Sequence, residues 1–259
     1  MSDEHAAGSR GALSPSAPTL EAGEAVVALR RAQGRASRVT SLLLPAAALI
    51  GLGQQTLRPL AIAGPLALGL LLHHMRAFGA PRSRLPNLVT ALRVMATGLL
   101  ALSADRTTNA ASLQAMGVLV IFVLDGLDGV LARKLGASSA QGAHFDMEAD
   151  AYLVLTVCCL HVVAGVGVWA LMGGLLRYAY ALSVPFLRVV GEAPRSRFGR
   201  YAFATALGFL TVGLLLTGAL RDLSVALGTV VLLWSFGRSW WFGLGFGGGS
   251  RVAGRGADL

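Results

Sequence analysis

Apolar residues run through the chain in eight long stretches, and no other feature limits its fold so tightly. The stretches are 39–57, 59–75, 85–103, 110–132, 142–169, 171–187, 201–220 and 223–237. Most approach the ~20 residues that a helix needs to cross a bilayer. The 259 residues are 54% apolar and only 14% charged. An ordinary soluble domain carries about a quarter charged residues, so this composition argues against one, and against disorder. The pattern predicts an all-α fold, a polytopic transmembrane helical bundle.

The ends of the chain are different. Residues 1–38 are polar and end in Arg30, Arg31, Arg35 and Arg38. They read as a cytoplasmic tail, disordered over 1–19, with an amphipathic helix or a basic arm over 20–38. Residues 1–19 lack the apolar core of a signal peptide. The two stretches within 39–76 hold Pro45, Gln54 and Gln55 and read as a broken hairpin. Residues 243–259 are Gly-rich and read as a mobile tail. Cys158 and Cys159 are adjacent, so they face apart on a helix and read as small core residues.

Charge sets the orientation. Lys and Arg number 22 against 13 Asp and Glu. In a soluble protein the net charge of +9 would point to nucleic acid. Here sixteen of the basic residues fall on one side if the chain crosses eight times, and only Arg58, Arg106 and Arg221 fall on the other. The positive-inside rule then puts the N-terminus and the richer side in the cytoplasm. The protein reads as a multi-pass protein of the cell (inner) membrane that binds no nucleic acid.

Acidic residues are concentrated. Asp125, Asp128, Asp146, Glu148 and Asp150 lie within 26 residues, all at the inner ends of apolar runs. A carboxylate there costs of order 2.5–3.5 kcal/mol on insertion scales, so it usually marks a working site. Asp125 and Asp128 are i, i+3 on one helix face; Asp146 and Asp150 are i, i+4 on the next. The connection at 135–141 is short, so the two helices are expected as antiparallel neighbours with all four carboxylates converging. Four converging carboxylates need cations, and hard oxygen donors suit Mg²⁺ or Mn²⁺, here two ions. Arg133 stands at the same end as a phosphate clamp, and Gly129 and Gly142 admit a close backbone approach. Glu148 points away from Asp146 and Asp150. His144 reads as a loop residue, His161 as a packed core residue, and His73 and His74 as interfacial. Trp234, Trp240 and Trp241 fit an aromatic belt.

The full pattern runs Asp125, Asp128, Gly129, Ala132, Arg133, Gly142, Asp146, Asp150. It resembles the signature of the CDP-alcohol phosphotransferases (CDP-alcohol phosphatidyltransferases), without departure at any position. The stretch from Leu85 to Arg93, with Pro86, Asn87, Thr90 and Arg93, looks like that family's opening helix. The resemblance covers residues 85–242, six spans, and leaves the two N-terminal spans unassigned.

The resemblance implies a metal-dependent enzyme of phospholipid biosynthesis. Such enzymes transfer a substituted phosphate from a CDP-alcohol, usually CDP-diacylglycerol, to a small alcohol acceptor and release CMP. By position, Asp125, Asp128, Asp146 and Asp150 look like metal ligands, and Asp150 also like the proton acceptor. Asn87, Thr90, Gly129, Ala132, Arg133, Ser139 and Gly142 look like contacts to the CDP-alcohol. Arg177, Arg197 and Arg200 are candidates for binding the acceptor, against roles in packing and topology alone. A homodimer in a lipid bilayer is the family's usual form. The rival reading is an ion-coupled membrane transporter with intramembrane carboxylates; it leaves Arg133 and the two glycines unexplained. An inactive scaffold would be expected to have lost an aspartate, and none is lost.

Overall fold

The computed structural model describes residues 37–76, 84–105, 110–134, 140–183 and 197–244. The chain divides into Met1–Ala36 and Ser37–Leu259, and the described residues belong to the second unit. The tail before Ser37, residues 245–259 of the expected mobile tail, and Ser139 lie outside the described residues.

Among the described residues the fold is all-helical, without strands. Eight α-helices follow one another: α1 (Ser37–Gly53), α2 (Arg58–Arg76), α3 (Arg84–Leu102), α4 (Ala110–Lys134), α5 (Ala140–Val163), α6 (Leu171–Ser183), α7 (Arg197–Leu215) and α8 (Gly218–Gly243). Their order follows the eight apolar runs. Among the described residues, the stretches Phe198–Leu215 and Gly218–Trp241 are long and apolar enough by themselves to cross a bilayer. The described parts of α1 to α4 hold further apolar stretches, Ser37–Gly53, Arg58–His73, Leu88–Leu102 and Ala111–Gly126.

A short connection joins the first two helices. Its turn closes with the Thr56 amide donating to the Gly51 carbonyl at 2.9 Å, and Gln55 takes a left-handed φ of 55°. A side chain at Gly51 would run into the Thr56 carbonyl, so this tight turn requires a glycine there.

Helix α5 is the centre of the bundle. It packs against α2, α3, α6 and α7, and every residue from Ala151 to His161 is buried. A helical stretch this apolar is at home only where neighbours cover it all round. The Tyr152 ring packs against the bare Cα of Gly64, and its hydroxyl donates to the Leu60 carbonyl at 3.1 Å. Cys158 and Cys159 are free and buried in this core. His161 is buried as expected, 2.9 Å from the Leu210 carbonyl through Nε2.

Two boundaries differ from the sequence expectation. The run at 142–169 is not one helix: α5 ends at Val163, and a short 3₁₀ turn at Val168–Ala170 leads into α6. Gly165 and Gly167, at φ 91° and 102°, turn the chain there. The run at 201–220 is likewise split, because α7 ends at Leu215 and Gly218, at φ 58°, opens α8. Both turns are lined by apolar residues, so hydropathy does not register them. His144 lies within α5 rather than in a loop.

Candidate active site

The acidic helices α4 and α5 both pack against α3. That arrangement brings residues distant in sequence to one place. Asp125 on α4 and Asp146 and Asp150 on α5 each offer a carboxylate oxygen, and the three oxygens lie within 4.8 Å of one another. The i, i+4 spacing puts both α5 carboxylates on one face, as expected. All three side chains keep partial exposure, at 30%, 38% and 23% respectively. A solute can therefore reach them, although the helices carrying them are largely apolar.

The third helix contributes a cation. Arg93 of α3 is only 2% exposed. Its Nη1 lies 2.7 Å from Asp125 Oδ1 and 2.6 Å from Asp146 Oδ1, and its Nη2 lies 2.5 Å from Asp150 Oδ1. Thr97 donates to the Arg93 carbonyl at 2.8 Å. Thr90, one turn before Arg93, is buried, and Gly142, one turn before Asp146, is half-buried. Three carboxylates in contact with one guanidinium remain under-neutralised when ionised, and the oxygen donor set suits a hard divalent cation.

Other expected site residues are described only in part. Asn87 lies in α3, Asp128, Gly129, Ala132 and Arg133 lie in α4, and Arg197 opens α7. Their side chains lie outside the described residues. Arg200 is exposed on α7.

Arg177 of α6 meets Glu148. Its Nη2 lies 2.9 Å from Glu148 Oε1. Glu148, fully buried, also accepts from Ser37 Oγ at 2.8 Å and Thr40 Oγ1 at 3.1 Å, both on α1. His144 Nε2 stands 3.9 Å away. Glu148 is two residues from each α5 aspartate, so it takes the opposite side of the helix, as its spacing predicts. At the C-terminal end of α6, Ser183 Oγ accepts from Trp240 Nε1 at 2.7 Å, and the Trp240 ring packs with Tyr180 and Phe236.

Sequence reading alone did not assign Arg93 or Glu148 to a site. The available signal for Arg93 was its isolation as the single charge in the apolar run 85–103.

A family model described as CDP-alcohol phosphatidyltransferase matches residues 83–241. No curated protein and no solved structure matches the chain.

Proposed function

The chain belongs to the CDP-alcohol phosphatidyltransferase family, and from that premise we propose that it transfers a phosphatidyl group from CDP-diacylglycerol to a small alcohol and releases CMP. One observation carries this reading: Asp125, Asp146 and Asp150, three carboxylates of the signature, converge within 4.8 Å.

The family uses divalent metals, and the oxygen donors fit Mg²⁺ or Mn²⁺. Asp125, Asp128, Asp146 and Asp150 would hold two ions. Bound there, they would neutralise the donor's pyrophosphate and the departing CMP. Asp150 takes the proton of the acceptor hydroxyl. The acceptor oxygen then bonds to the donor's β-phosphorus, the bond from that phosphorus to the CMP oxygen breaks, and CMP leaves with the electron pair. Gly129, Ala132, Arg133, Ser139 and Gly142, with Asn87 and Thr90 from α3, bind the CDP-alcohol. Arg177, Arg197 and Arg200 are the candidates for holding the acceptor.

A lipid donor explains why such a site stands among apolar helices. Acyl chains stay in the bilayer while the head group reaches the partly exposed carboxylates. The outward faces support a bilayer setting: Leu66, Leu70, Leu99 and Trp234 are each more than two-thirds exposed. We place the site on the cytoplasmic side of the cell membrane, from the distribution of arginines, in a homodimer.

The test is incubation of purified protein with CDP-diacylglycerol, Mn²⁺ and a panel of alcohols, among them glycerol 3-phosphate, inositol phosphate and serine. The reading expects CMP and a new phospholipid with at least one acceptor. No CMP with any of them would overturn it for this donor.

A further inference from the structure

A guanidinium in the middle of an apolar helix is costly unless its charge is matched. Arg93 is buried to 2%, and its three ion pairs are with Asp125, Asp146 and Asp150. Its Nε makes no hydrogen bond, so its terminal nitrogens carry the interaction. The reverse dependence holds too. Three carboxylate oxygens within 4.8 Å repel one another strongly where water is scarce. They belong to two different helices, and no covalent constraint keeps them together. The planar fork of arginine spans several carboxylates at once, which the point charge of lysine does not.

We propose that Arg93 is the resident counter-cation of this cluster, a positioning residue that holds the three aspartates together and competes with a divalent cation for the same oxygens. The inference rests on the metal-site reading above. A cation entering the cluster meets oxygens already engaged by Arg93 at 2.5–2.7 Å, so part of its binding energy goes into displacing those contacts. The device keeps the site assembled without metal and weakens metal binding.

The experiment measures Mn²⁺ affinity of the purified full chain in detergent, from the paramagnetic resonance signal of free Mn²⁺, for native protein and Arg93→Gln. The variant is expected to bind Mn²⁺ about tenfold more tightly or better, the equivalent of one charge-assisted bond no longer opposed. Unchanged or weaker binding by the variant, with the native chain still binding, would overturn this inference and leave the metal site standing. No Mn²⁺ binding by the native chain would overturn both. Should Arg93→Gln fail to fold, Arg93→Lys keeps the charge but loses the fork. It too is expected to bind Mn²⁺ more tightly than native protein, and equal or weaker binding would count against the proposal. A purely structural role for Arg93 would not tighten metal binding in either variant.

Discussion

In the proposed reaction Asp150 has two roles at once, metal ligand and proton acceptor, and they make different demands. A ligand acts on the bound donor; a base acts chiefly in the transition state. Asp150→Asn keeps size and one oxygen but cannot take a proton. Turnover is expected to fall by about 10²–10⁴-fold, while affinity for CDP-diacylglycerol, measured by titration calorimetry, changes far less. Parallel losses in both would make Asp150 chiefly a ligand. Residues of this kind were legible in the sequence, because a carboxylate one helical turn from another in an apolar run has few bland explanations. Arg93 was less so. Its partners lie 32, 53 and 57 positions away, and hydropathy says nothing about which helix faces which.

Helix α5 connects the site to α1 and α2, both of which precede the part of the chain that the family match covers. On one side α5 carries Asp146 and Asp150; on the other it carries Glu148, held by Ser37, Thr40 and Arg177. Removing one partner of a buried pair leaves a charge uncompensated, at a cost of about 3–5 kcal/mol. Arg177 keeps 18% exposure, so Glu148→Ala is expected near the lower end, about 3 kcal/mol, read from chemical unfolding in micelles. A loss below about 1 kcal/mol would mean that water already satisfies Arg177. Helix existence and order were readable from apolar run length, since burial and bilayer insertion both demand such runs. The turns at Gly165–Gly167 and Gly218 were not, because an apolar turn between packed helices keeps the same composition as the helices. The grip of α1 on Glu148 was also hidden, since it joins residues 111 and 108 positions apart.

The described helices combine exposed apolar faces, a central helix buried from Ala151 to His161, and two polar clusters on opposite sides of that helix, one of them where α3, α4 and α5 meet. These features fit the proposed function, in which a charged head group reaches the carboxylates while its acyl chains stay in lipid. The overall excess of arginine serves orientation in this account, and the few charges inside the bundle serve chemistry or hold it in place. The most direct test of the central claim, that the converged aspartates form a metal-dependent site, is CMP release from CDP-diacylglycerol with the metal supply controlled. With a productive acceptor present, the account predicts no release after chelation, recovery on adding Mn²⁺ or Mg²⁺, and no recovery in folded Asp125→Asn. Release that persists in chelator, or a folded Asp125→Asn protein that responds to Mn²⁺ like the native chain, would contradict it.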